Sequence, residues 1–195
     1  MVTSVCRAPG RNSLIVFVFI FLTACASHEK PVMYNAAEVN VITKGGITTI
    51  NGLPVTGVIY SLDEGQDTLY TASYRNGKLH GWSREFYAEN KLKSLRYYVD
   101  GWKNGIHKGW FENGKQQFVY SFRDDMFHGN QLEWLSSGMM YSDLNYEDGQ
   151  EAGSQRVWYP NGKIKTNYII QNNRRYGLLG TKNCINATDS VFAVR

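Results

Sequence analysis

Residues 105–129 read GIHKGWFENGKQQFVYSFRDDMFHG, and this stretch decides the fold. Within it Gln116, Phe118, Tyr120 and Phe122 alternate with Gln117, Val119, Ser121 and Arg123. Side chains of a strand point to opposite faces in turn, so rings at every second residue predict a half-buried strand, not a helix. Asn113-Gly114 precedes the strand and Asp124-Asp125 follows it, both turn-forming pairs. The stretch begins and ends on glycine, and the same interval of 24 residues recurs at Gly57, Gly81, Gly105, Gly129, Gly153 and Gly177.

Other columns keep this register. Five residues after the first five glycines stand Leu62, Phe86, Trp110, Trp134 and Trp158, while Lys182 follows Gly177 at that spacing. Seventeen after each of the five stand Tyr74, Tyr98, Phe122, Tyr146 and Ile170, and four before the next come Gly77, Gly101, Asp125, Gly149 and Asn173. Every unit holds two turn signals. One set is Asn113-Gly114, Ser137-Gly138 and Asn161-Gly162, with Glu89-Asn90 a weaker copy; the other is Asn76-Gly77, Asp100-Gly101 and Asp148-Gly149. Asn-Gly and Asp-Gly favour type I′ turns, whose twist suits antiparallel strands. The expected fold is therefore all-β: a single elongated antiparallel β-meander of about five hairpin repeats, with about 10 to 12 short strands and almost no helix after Cys25. Trp110, Trp134 and Trp158 should share one face with Phe86, as a buried column. Tyr87, Phe111 and Tyr159, with Leu135, should then face the other way, as a candidate binding face.

Composition agrees with this reading. Hydrophobic residues make up 43% and charged residues 19%, enough apolar side chain to bury a core. Thirteen Tyr and 19 Gly against 4 Pro suit short strands and tight turns and exclude a long helical bundle. The net charge of +4 comes from scattered residues, so no basic patch points to nucleic acid.

Two segments carry a family resemblance. Tyr74-Arg75-Asn76-Gly77-Lys78-Leu79-His80-Gly81 and Trp158-Tyr159-Pro160-Asn161-Gly162-Lys163 resemble the MORN repeat variant, over residues 57–177. Asp67 and Ala152 depart from its pattern. Similar bacterial proteins are often grouped as antitoxin components, so the resemblance implies an antitoxin-like partner of a toxin as a further alternative.

The N-terminus reads as an address. Arg7 and Arg11 precede an apolar run, residues 14–22, that is shorter than the roughly 20 residues a membrane-spanning helix needs. It ends in Leu22-Thr23-Ala24-Cys25, which resembles a bacterial lipobox and implies cleavage before Cys25 and acylation of its thiol. The expected organisation is a lipoprotein signal peptide at 1–24, a lipidated tether at 25–32, capping strands at 33–56, repeats at 57–177 and a C-terminal cap at 178–195, with a strand at 191–194. With Cys6 removed and Cys25 acylated, only Cys184 remains, and one thiol forms no internal disulfide. Without Arg7 and Arg11 the chain is nearly neutral, so the membrane would hold it through lipid on Cys25. Ala26 follows Cys25 in place of Asp, which by resemblance to enterobacterial sorting favours the outer membrane over the inner.

No catalytic constellation is visible. His80 and His128 share a column and read as turn histidines, and Glu85 and Glu133 share another. The glycines fall at hairpin spacing with no phosphate-binding loop among them, and no G-x-S-x-G occurs. The expectation is a protein without cofactor, metal or enzymatic activity, anchored in the bacterial envelope as an interaction scaffold for another envelope protein. Glycan or cell-wall binding through an aromatic face is the alternative.

Overall fold

A computed structural model describes residues 30–180, and among these the chain is all-β, without helix. The signal segment, Cys25, Cys184 and the expected strand at 191–194 lie outside the described residues. The first strands are β1 (Met33–Asn35), β2 (Val41–Lys44), β3 (Ile47–Ile50) and β4 (Leu53–Pro54). The repeats follow as β5 (Gly57–Leu62), β6 (Thr68–Arg75), β7 (Lys78–Phe86) and β8 (Leu92–Val99), then β9 (Trp102–Lys103), β10 (Gly105–Trp110) and β11 (Gln116–Arg123). The last are β12 (Met126–Trp134), β13 (Met140–Glu147), β14 (Gln150–Trp158), β15 (Ile164–Gln171) and β16 (Arg174–Leu178).

From β5 onward consecutive strands pair antiparallel in a 13-stranded sheet, two strands to each 24-residue unit, with short β9 attached to β8. Only β1 breaks the meander: it runs parallel to β5, with Met33 across from Val58, and covers the first edge. Strands β2, β3 and β4 form a separate three-stranded sheet.

The two turn columns differ in kind. Asn76-Gly77 has φ of 49° and 78°, and Asp148-Gly149 has 47° and 81°, the paired positive angles of type I′ turns. Asp124-Asp125 and Asn172-Asn173 adopt the same conformation without glycine. In the other column Glu89 and Asn90 both have positive φ, but Asn113-Gly114, Ser137-Gly138 and Asn161-Gly162 depart from the type I′ expectation. At Asn113-Gly114 only Gly114 has positive φ; its N–H donates to the Phe111 carbonyl at 2.8 Å, and the Phe111 N–H donates to the Lys115 carbonyl at 2.9 Å. This is a type I turn followed by a left-handed residue. Asn113 stays right-handed because its Oδ1 accepts the Lys115 N–H at 3.1 Å, and Asn161 does the same for Lys163 at 3.0 Å.

The first five period glycines each stand across from the residue seventeen positions on, among them Gly81 from Tyr98, Gly105 from Phe122 and Gly129 from Tyr146. On its other side the ladder bulges, so that residues 128–130 oppose Ser121 alone. A second close fit lies at Gly109, where an added Cβ would collide with the ring of Phe118 on the paired strand. In the last unit the same column holds Val157, with Thr166 opposite. Gly109→Val is accordingly expected to destabilise the chain by about 1–3 kcal/mol, as overpacking does. Adding Phe118→Thr should recover most of that loss in a double-mutant cycle followed by denaturant unfolding.

The fully buried apolar core is small and lies at the N-terminal end. Ile50, Val55 and Ile59 pack together with Tyr34, Val39, Val41 and Tyr74 against them. The Thr48 N–H donates to the Gly77 carbonyl at 2.7 Å and the Gly77 N–H to the Val55 carbonyl at 2.7 Å, which seats the small sheet on the first type I′ turn. The expected buried tryptophan column is corrected here. Phe86, Trp110, Trp134 and Trp158 do occupy equivalent register positions, each just after a bulge. All four are only half-buried, because the register shift places them at strand ends. Trp134→Ala therefore removes a half-buried ring and not a core residue.

Candidate functional site

Four buried polar side chains form a column two residues after the period glycines: Ser83, His107, Gln131 and Gln155, with Ile59 in that place in the first unit. Their burial follows from the bulges. A bulge leaves one residue of the neighbouring strand without ladder partners, and a buried unpaired backbone group is costly. Gln131 Nε2 donates to the Ser121 carbonyl at 2.9 Å and to the Gly129 carbonyl at 3.2 Å, while its Oε1 accepts the Ser121 N–H at 3.2 Å. Gln155 Nε2 donates to Asn145 and Ala152 carbonyls at 2.6 and 2.9 Å, and its Oε1 accepts the Asn145 N–H at 3.3 Å. A side-chain amide has the donor and acceptor of a peptide unit, and here it completes the ladder in place of one.

His107 fills the same place with one atom. Its Nε2 lies 2.9 Å from the Tyr97 carbonyl oxygen and 3.3 Å from the Tyr97 nitrogen, and its ring lies 4.7 Å from Phe122 and 5.5 Å from Tyr98. Burial holds His107 below the usual imidazole range, and the nearby cations Arg96 and Lys103 add to this. The unfolded chain therefore takes up this proton first as pH falls. Stability from neutral His107 is present above about pH 6.5 and is lost as pH drops toward its folded pKa. The loss should follow a slope of up to about 1.4 kcal/mol per pH unit. His107→Gln should leave stability at pH 8 nearly unchanged and abolish this slope, as read from denaturant unfolding of both chains across pH 4.5–8.

The side chains opposite this column belong to the same face. His107 and Gln131 both stand across from Tyr120, and Leu144 stands across from Gln131. Here the rings collect. Phe118 stacks on Tyr120 at 4.6 Å and 18°, Phe127 lies 5.6 Å from Tyr120 and 4.9 Å from Phe122, and Tyr146 lies 5.3 Å from Phe127. Two hollows meet on this aromatic surface and share Phe118 and Tyr120. One, of about 430 Å³, reaches Arg96, Tyr98, Lys103 and His107. The other, of about 220 Å³, reaches Gln117, Glu133, Trp134 and Tyr141. The Tyr120 hydroxyl donates to Glu133 Oε1, and Ser142 Oγ donates to Glu133 Oε2 at 3.2 Å, so the carboxylate is held in place. Burial and this bond to Glu133 keep the Tyr120 phenol protonated, its pKa well above the ordinary value.

The candidate binding residues named from sequence stand elsewhere. Tyr87, Phe111 and Tyr159 lie just past the ends of β7, β10 and β14, in hairpin turns and not on a strand face. Each donates its backbone N–H across its turn, Tyr87 to Lys91 and Tyr159 to Lys163 at 2.8 Å. All three are half-buried. Tyr87 also donates its hydroxyl to the Trp110 carbonyl at 3.0 Å, which ties one hairpin to the next, and Lys165 lies over the Tyr159 ring at 5.9 Å. Trp134 and Leu135, expected on opposite faces, border the same hollow, because the bulge before Trp134 breaks the alternation.

His80 and His128 each join an arginine and the aspartate of the next turn. His80 Nδ1 is 3.3 Å from Asp100, which also binds Arg75 at 2.8 Å; His128 Nδ1 is 3.3 Å from Asp148, beside Arg123. Glu85 pairs with Arg96 at 3.2 Å. Among the described residues no three His, Cys, Asp or Glu side chains gather where they would hold a metal ion. No family model matches the chain, and no curated protein matches it significantly.

The glutamine column was not singled out from sequence, although Gln131 and Gln155 stand one repeat apart two residues after a period glycine. The aromatic face was partly visible as the alternation in residues 116–123.

Proposed function

We propose that this chain is a non-catalytic repeat lipoprotein, anchored in the bacterial envelope through Cys25, whose repeat sheet holds another envelope protein. The observation that carries the reading is the last strand of the sheet. Every residue of β16 is exposed, and among the described residues β16 pairs only with β15. Tyr176 is 49% exposed and stands across from Ile169, 46% exposed, with Leu178 and Leu179 at the same corner. A strand edge without a second partner among the described residues offers unpaired backbone groups, and apolar side chains along it are the usual setting for an added strand from a partner. The lipid confines the encounter to the membrane surface, and the MORN-like spacing supplies a long surface without a deep pocket.

A photo-activated cross-linker at position 176 of the full chain, irradiated in intact cells, tests this. A single discrete protein adduct is expected at 176 and not at exposed Arg84, near the middle of the sheet. No adduct, or only a bond within the chain to residues 181–195, would contradict the reading.

A further inference from the structure

We infer that the two hollows joined at Phe118 and Tyr120 form a subsite for a carboxylated oligosaccharide, separate from the β16 edge. The surface is made of ring faces: Phe118 and Tyr120 stacked, with Phe122 and Phe127 beside them. Leu135 is the sole aliphatic side chain among the residues that line either hollow. Flat rings with polar handles at their rim suit a ligand that is apolar on one face and hydroxylated at its edges, which is the form of a sugar ring.

The rim is polar and already oriented. Glu133 is fixed by Tyr120 and Ser142, yet each carboxylate oxygen keeps a lone pair that can accept from a sugar hydroxyl. Gln117 borders the same hollow with an amide donor and acceptor. An aliphatic ligand would leave these groups without partners once it displaced water from them. The opposite end holds two cations, Arg96 and Lys103, with the carboxylates Glu85 and Asp125 near Tyr98. Arg96 is engaged by Glu85, whereas Lys103 has no carboxylate in ion-pair contact among the described residues, its ammonium lying 5.3 Å from the Phe122 ring centre. Two cations beside the larger hollow disfavour a cationic guest despite the aromatic walls, and the Lys103 ammonium is a point charge for an anionic one. A carboxylate on one sugar and hydroxyls on the next match the two ends.

The repeat itself indicates where such a site arises. The column that holds Glu85 and Glu133 is empty at Gly109, and Phe118 lies in the space a side chain would take. In the neighbouring units the corresponding partners are serines, Ser94 and Ser142, so this wide aromatic floor belongs to the third unit.

The test titrates the full chain in detergent micelles with hyaluronan tetrasaccharide, which is carboxylated, and with chitotetraose, which is neutral, by calorimetry. The carboxylated sugar should bind about tenfold more tightly, the worth of roughly one well-placed charge contact. Lys103→Gln should bring the two affinities together without weakening chitotetraose. Tyr120→Ala should weaken both by about tenfold or more. In the unsubstituted chain, aromatic carbon resonances of Phe118 and Tyr120 should shift on titration, which removes dependence on how well a variant folds. Absence of binding by either sugar at millimolar concentration would overturn the proposal. So would resonance shifts confined to other parts of the sheet, or an unchanged preference in Lys103→Gln.

Discussion

Gln155→Leu is expected to cost the chain about 3–5 kcal/mol, because it strips partners from several buried polar groups at once. Gln155 is fully buried, and its amide serves the Asn145 N–H, the Asn145 carbonyl and the Ala152 carbonyl. Each group left without a partner costs about 1–3 kcal/mol, and the volume of leucine returns only part of the total. Gln155→His, which places the His107 arrangement in the last unit, should recover a substantial share. Urea unfolding of the three chains reads the difference, and a loss under 1 kcal/mol would mean that water or a shifted strand serves Asn145 instead. Total stabilities of small domains are about 5–15 kcal/mol, so this one amide bears on whether β13 and β14 stay paired.

The same column shows what was legible in the sequence. Strand number, the two-strand unit and the 24-residue register could all be read from glycine, turn and aromatic columns, since each reflects a local backbone demand that few residue types meet. The bulges could not be read. They depend on which residue of the neighbouring strand loses its partner, a non-local fact, and only then does it matter that Gln131 and Gln155 carry amides. The tryptophans were over-read for the same reason. Strict alternation would have put Trp134 and Leu135 on opposite faces, but the shift between Glu133 and Trp134 brings both to one hollow. Phe111 and Tyr159 belong to turns because the Asn113 and Asn161 side chains favour a three-residue loop over the two-residue one that Asn-Gly alone suggests. The aromatic site was half legible: residues 116–123 announced a ring-bearing face, while the room on it depends on Gly109 and Phe118 meeting across strands.

Cys25→Ala should move the chain from the membrane fraction to the soluble one almost completely. Cys25 is the only cysteine at the end of the apolar run, and the chain downstream of it is too nearly neutral to adhere through basic residues. Acyl chains contribute about 0.8 kcal/mol for each buried CH₂, and two or more chains on one residue give an anchor that a single substitution removes entirely. Metabolic labelling with a fatty acid, followed by fractionation, measures both consequences. A Cys25→Ala chain that still incorporates label and sediments with membranes would show that the anchor lies elsewhere. Retention without label would point to residues 14–22 acting as an uncleaved anchor.

The proposed lipid address, the β16 edge and the aromatic hollows together make one proposal, a tethered sheet whose exposed surfaces would be occupied in the envelope. Hydroxyl-radical footprinting of the same chain in micelles and in intact cells tests this most directly. Tyr176 on β16, and Tyr98, Phe122 and Phe127 around the larger hollow, should oxidise readily in the purified chain and be protected several-fold in cells. Trp102, 55% exposed and outside both surfaces, should oxidise equally in the two settings. Equal oxidation of all five residues in both preparations would contradict the claim that these surfaces receive a partner.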